Sequence, residues 1–341
     1  MRAFAPSLHL ALPLVLTFAL AAAPAAASEL SGSITDQLIL PTFQELAEDA
    51  QTLAETAQAD CNPQSPPLRA AYSDAFDAWI AASHYRFGPT ETDSRAFALA
   101  FWPDSRSKTP KALGNLIRSE DPGISDPAQF ASYSIASRGF YALEYLLYDP
   151  QLSTTGSADY RCALTRAISV DIAATTQSIK VDWEQTYAAE MHSPAIRYQR
   201  DEEITQELLK ALTTGLQVLD DMRLGRPLGT FDRPRPNRAE ARRSGRSLRH
   251  VQVSLNALEP LALALADSRA DLQAKITAAF AKARKKAGTL NDPVFAGVAD
   301  PASRFRIESL QQEIKNLRAL VTGELGPALG VAAGFNSLDG D

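Results

Sequence analysis

Apolar residues return at three- and four-residue steps through almost the whole chain, and no segment offers a convincing alternation of apolar and polar residues. Leu68, Tyr72, Phe76 and Trp79 show the pattern in one stretch. A helix turns once every 3.6 residues, so this spacing places apolar side chains on one face, whereas a strand needs period two. The chain is therefore expected to be all-α. Helices are predicted over 33–59, with Pro41 as a kink or break, and after the Pro66-Pro67 pair until "RFGP". Others follow over 111–118, through Glu144 to the Asp149-Pro150 stop, and over 160–190, 202–223, 239–266, 267–287 and 303–325. Residues 90–107, with their Trp-Pro-Asp corner, and "LGRPLGTFDRPRPNR" read as irregular. The linker-like "MHSPAIRYQRDEE" puts a boundary near Pro194, dividing an N-terminal helical bundle (28–194) from a C-terminal one (195–341). "YALEYL" and "NALEPL" occupy similar places in the two halves, which points to a duplicated bundle, although their identity is too thin to define a repeat.

The N-terminus, "MRAFAPSLHLALPLVLTFALAAAPAAASELSG", has one Arg, a short apolar run and then small residues suited to cleavage. It reads as a secretory signal over 1–27; Pro13 and the brevity of the run argue against a membrane span. A soluble periplasmic protein is expected. Removing the signal takes away Arg2, so the formal net charge of −6 becomes −7, which argues against nucleic acid as a partner. Cys61 and Cys162 both lie in the exported part, where a disulfide between them is the expected state.

One residue violates the helical pattern. Counting back from Leu147 in steps of three and four reaches Glu144, Phe140, Ser137, Tyr133 and Phe130, so a carboxylate falls on an apolar stripe. An ionised carboxylate in an apolar interior loses its hydration at a cost of several kcal/mol and needs a cation, donors, a metal or its own proton. Ser137 and Tyr141 sit on the same side of that helix, with Tyr148 one turn further. Either Glu144 is satisfied by Tyr and Arg for packing, or it belongs to a ligand or metal pocket.

The counter-charge is concentrated in Arg226–His250, which has eight Arg, no Lys and two acids. Arg242, Arg246 and Arg249 follow helical spacing, with Leu248, Val251, Leu255 and Leu258 on the opposite side. Such a face serves either as a solvated basic surface or, because guanidinium groups engage carboxylates bidentately, as a partner for acids including Glu144. At least one of Arg242, Arg243 and Arg246 is expected at the Glu144 pocket. Zinc chemistry has little support: His84, His192 and His250 share no helical turn, and there is no H-E-x-x-H. A G-x-S-x-G elbow and a phosphate-cradling Gly-rich loop are also absent from the sequence.

"RGFYALEYLLYD" resembles the signature helix of imelysin-like proteins, exported bacterial helical proteins classed with peptidases and linked to iron uptake. "FDAWIAASHYRFGPT", "FWPDSRSK", "GRPLGTFDRPRPNRAEARRSGRSLRHV" and "AGFNSLDGD" extend the likeness over nearly the whole mature chain. The resemblance implies two related bundles with a pocket between them. The family's better-known branch reads Gly-x-His-x-x-Glu, with His and Glu as its proposed metal ligands. Gly139 and Glu144 match, whereas Tyr141 stands at the His position. A phenol suits Fe(III) far better than zinc, which weakens a peptidase reading and leaves Glu144 and Tyr141 as candidate ligands for iron. The ligand-binding candidates are Ser137, Tyr141, Glu144, Arg242, Arg243 and Arg246, together with Trp102 and Asp104 of the matched Trp-Pro-Asp corner. The expected function is a non-enzymatic binding component of iron acquisition, taking iron or an anionic iron-related ligand and working with periplasmic or membrane-associated iron-uptake proteins. A metallopeptidase and an interaction module that docks an acidic partner through the Arg face are the alternatives.

Overall fold

The computed structural model describes Met1 and residues 23–331. The expected signal over 1–27 falls mostly outside the described residues, as does the tail from Ala332 to Asp341. Among the described residues there are helices and an isolated Thr230–Arg233 bridge but no strand, as the periodicity requires. No described helix is long and apolar enough to cross a membrane.

The chain begins with α1 (Ala23–Ile34) and α2 (Leu40–Ala59), joined through a wide π-helical turn, Thr35–Ile39, that ends just before Pro41. The ring of Pro41 removes a donor and crowds the preceding turn, so the helix widens there and continues. Helix α3 (Pro66–Ala82) starts on a Ser65 cap with two prolines in its first turn. The irregular stretch then contains α4 (Arg95–Leu99) before α5 (Lys108–Ser119). After α6 (Pro127–Ala131) and a 3-10 turn at Ile135–Ser137 comes α7 (Gly139–Tyr148), which carries Glu144. The stripe counted from Phe130 to Leu147 thus crosses two breaks, and the helix proper starts at Gly139. Its φ is +72°, and a Cβ there would lie 2.2 Å from the carbonyl oxygens of Ala98 and Leu99, so glycine is required by both conformation and close approach.

Helix α8 (Ala158–Asp182) continues through a π turn, Trp183–Tyr187, into α9 (Ala188–His192). Next come α10 (Asp201–Gln217), a π turn at Val218–Leu224, and α11 (Gly225–Leu228). The remaining elements are α12 (Ser247–Leu265), α13 (Ala270–Thr289), α14 (Pro301–Leu320) and α15 (Gly326–Leu329). The helix expected from Ala239 begins only at Ser247, because Ala241 (φ 45°) and Gly245 (φ 75°) take left-handed conformations that no helix accommodates.

Helix α2 packs between α3 and α8, while α13 lies against α12 and α14. Contacts of α3 with α12, and of α1 with α9, α10 and α12, join these groups into one continuous apolar core. The Cys61–Cys162 disulfide forms as expected, tying the segment after α2 to the first turn of α8 with the Cα atoms 5.2 Å apart.

Candidate functional site

Glu144 is 2% exposed, as its place on the apolar stripe required. What holds it differs from the expectation. Its Oε1 accepts from the Ser244 amide at 2.9 Å and the Ser244 hydroxyl at 2.7 Å. No guanidinium among the described residues lies within ion-pair distance. Burial raises its pKa, opposed by the Ser244 bonds and by the nearby charge of Arg243. Arg243 itself lies over the Tyr145 ring, 3.7 Å from its centroid, and donates through Nε to Asp149 Oδ2 at 2.9 Å. The left-handed turn at Ala241–Gly245 presents a backbone amide and a hydroxyl to the carboxylate, which a continuing helix could not do.

Glu144, Tyr141 and Tyr145 from α7 line one side of a cleft of about 290 Å³. Trp102 and Asp104 close another side, and Arg226, Arg238, Arg242 and Arg243 come from beyond Pro194. Six candidate residues therefore meet here: Trp102, Asp104, Tyr141, Glu144, Arg242 and Arg243. Asp104 also has a structural duty, accepting from the Lys108 and Thr109 amides at 2.8 Å to start α5. Ser137 is buried away from the cleft and donates to the Ser134 carbonyl. Arg246 leaves as well: it pairs with Asp77 and donates to the Ser73 carbonyl, while Arg249 donates to Asp77 at 2.8 Å. The expected continuous Arg face is thus divided, because the chain reverses between Arg243 and Arg246.

The charge in the cleft is unbalanced. Arg226, Arg238 and Arg242 have no ion-pair partner among the described residues. Arg226 lies over Trp102 at 5.6 Å, with its buried Nε unpartnered. Burial and then the like charge of Arg238 lower its pKa, so a nearby negative charge would be favourable. Thr109 Oγ1, also buried in this wall, lacks a partner.

Behind the cleft lies a network that the sequence reading missed. Tyr141 Oη donates to Glu240 Oε1 at 2.5 Å, Arg223 Nε donates to Glu240 Oε2 at 2.7 Å, and Arg223 Nη1 donates to Ser254 Oγ at 2.6 Å. All four side chains are buried. Burial by itself would raise Glu240, but Arg223 and His250 hold it far below the usual carboxylate range. Burial pushes His250 down, against the pull of Glu240. Its Nδ1 lies 3.1 Å from Glu240 Oε2, and its ring meets Phe76 edge-on at 4.5 Å. Burial, and then Glu240, push the Tyr141 phenol well above its ordinary pKa, leaving it a neutral donor. The available signal was Glu240 itself, an acid placed within a run of arginines.

This donor set does not suit a metal cation at Glu144 and Tyr141. Ser244 occupies one carboxylate oxygen, the Tyr141 phenol keeps its proton and donates it in a hydrogen bond to Glu240, and four guanidinium groups face the same space. Among the described residues, no three His, Cys, Asp or Glu side chains gather as ligands.

The fold and site define an all-α protein in which one short helix carries Gly139, Tyr141 and Glu144 to an arginine-lined cleft. The family model for imelysin, peptidase family M75, matches residues 39–321, and the chain belongs to that family. Its fold is similar to that of solved structures. An imelysin-like protein from Psychrobacter arcticum 273-4 superposes with a TM-score of 0.75 at 18% identity, covering 94% of this chain and 100% of its own. A protein from Parabacteroides distasonis ATCC 8503, described as an iron-regulated protein A precursor, gives 0.73 at 12% identity, covering 87% and 94%. No curated protein matches the chain.

Proposed function

We propose that this protein is an exported, non-enzymatic binding component of the imelysin type that takes an anionic, iron-bearing carboxylate ligand in the arginine cleft. The observation that carries this reading is the set of unpaired arginines, Arg226, Arg238 and Arg242, in one cleft. Guanidinium groups match carboxylates in bidentate geometry, and an anion would relieve their mutual repulsion. Trp102 offers a flat apolar wall beside them. Iron enters through the ligand, not as a bare ion on Glu144 and Tyr141. Support for the iron association comes from family membership and from the printed description of the Parabacteroides structure. A non-enzymatic role is supported by Tyr141, which stands at the motif His position and is held as a neutral donor to Glu240. Export rests on the signal-like residues 1–27.

Titration calorimetry with citrate and ferric citrate tests the proposal. Ferric citrate should bind, and binding should weaken as salt is raised. Arg226→Gln with Arg242→Gln should lower affinity at least tenfold, since a charge-assisted hydrogen bond contributes about 1.5–3 kcal/mol. No binding of either ligand, or binding unchanged in the double variant, would overturn the reading.

A further inference from the structure

A second cavity, of about 430 Å³, shares the Tyr141 and Trp102 wall with the arginine cleft but has a different character. Four large aromatic side chains, Trp79, Phe87, Phe97 and Trp102, form part of its wall. Its charges cancel, because Glu91, Glu207 and Glu240 are matched by Arg86, Lys210 and Arg223. Arg86 Nε donates to Glu91 Oε1 at 2.5 Å, and Arg223 is taken by Glu240. A free anion or cation has no unbalanced charge to meet here, in contrast to the cleft beside it.

Two buried polar atoms in this lining have no partner: His84 Nε2 and Thr214 Oγ1. A buried polar atom left without a hydrogen bond is costly, so these two mark places for a partner from outside the chain. Their chemistry defines that partner. The His84 ring bonds the Ala81 backbone, and burial lowers its pKa to about 3, so the ring is neutral and its free nitrogen is an acceptor. Thr214 lines the cavity from α10 beside Lys210 and Ala211, and its hydroxyl can accept as well as donate. Both atoms are served by a ligand that donates.

We infer that this cavity is a binding site for a neutral aromatic compound bearing a hydroxyl donor, of the phenol or naphthol class. The rings lie among Trp79, Phe87, Phe97 and Trp102, and the hydroxyl donates to His84 Nε2 or Thr214 Oγ1. The volume falls within the range of small-molecule pockets, roughly 300–1,000 Å³, and accommodates one or two fused rings. Phe97, 44% exposed, forms the outer lip, with the Arg86 guanidinium 5.0 Å above its ring. Nothing in this assignment depends on anion binding in the neighbouring cleft, so the two sites can fail separately.

The test uses the full mature chain and three probes: 2-naphthol, naphthalene, which lacks the donor, and 2-naphthoate, which is charged. Calorimetry is run below the solubility limit of naphthalene. 2-Naphthol should bind at least fivefold more tightly than either other probe, because one satisfied hydrogen bond contributes about that factor. Thr214→Val keeps the side-chain shape and should weaken 2-naphthol severalfold while leaving naphthalene unchanged. Phe97→Ala, at an exposed position, should weaken both neutral probes. Citrate binding should be unaltered in each variant. If Thr214→Val does not fold, the ranking of the three probes on the unmodified protein and the Phe97→Ala result still decide. The assignment is overturned by no 2-naphthol binding, by equal affinity for naphthalene, by tighter binding of 2-naphthoate, or by a crystal soaked with 2-naphthol that shows only water in the cavity.

Discussion

Replacing Arg223 with Met should remove the cation from a carboxylate that cannot return to water. Glu240 is 2% exposed and Arg223 5%, and their contact is a direct 2.7 Å bond. Breaking a buried ion pair from one side costs about 3–5 kcal/mol, because it strands the other charge. Ser254 Oγ, which accepts from Arg223 at 2.6 Å, would lose that bond too, adding up to about 1 kcal/mol. Two groups offset the loss: Tyr141 still donates to Glu240, and His250, relieved of the like charge of Arg223, protonates more readily. The expected net loss is about 3–4 kcal/mol at pH 7, measured by urea unfolding of the disulfide-intact protein. The pH dependence supplies the sign. In the unmodified protein Glu240 is depressed, so its contribution is present above the unfolded carboxylate pKa and disappears as pH falls through the folded value. Without Arg223, burial raises the same group, and the variant becomes less stable as pH rises. The gap should therefore be widest near neutrality and narrow towards acid. Adding Glu240→Gln should recover much of the loss, making the pair strongly non-additive. A loss below about 1 kcal/mol that does not change between pH 4 and 7 would refute the assignment of a buried, ionised pair.

Three further outcomes are expected. Glu144→Gln keeps an acceptor for Ser244 and should change stability at pH 7 by less than about 1 kcal/mol; because burial raises Glu144, the native protein should outlast this variant only as pH falls, and a loss above about 3 kcal/mol at pH 7 would contradict the Ser244 arrangement. Reduction of Cys61–Cys162, whose sequence separation is 101, should lower stability by roughly 4–5 kcal/mol in the chain-entropy account; two reactive thiols in the unreduced, denatured protein would show that no bridge forms. The protein should not cleave an unfolded substrate, and zinc-dependent cleavage abolished by Glu144→Gln would reverse that expectation.

The helices and the burial of Glu144 were legible because both follow from local spacing. Apolar side chains at period 3.6 must share a face, and any residue at that spacing shares it too. The partners of a buried charge are not encoded that way. Arg242, Arg246 and Arg249 have helical spacing in the sequence, yet left-handed Gly245 turns the chain between Arg242 and Arg246, and Arg246 goes to Asp77 instead of the cleft. Ser137 stands four residues before Tyr141 in the sequence, the spacing of one helical turn, but the left-handed conformation at Gly139 starts a new helix and separates the two.

Sequence by itself determined the helical class, the kinship, the cysteine pair and the fact that Glu144 would be buried, since each rests on residue type or short-range spacing. The tertiary structure decided that Ser244 and not an arginine holds Glu144, and that Arg223 in the π turn after α10 meets Glu240 in the segment before α12. It also decided which arginines remain unpaired to meet an anion. Charge satisfaction depends on distances between elements remote in the chain, and those distances exist only once the helices have packed.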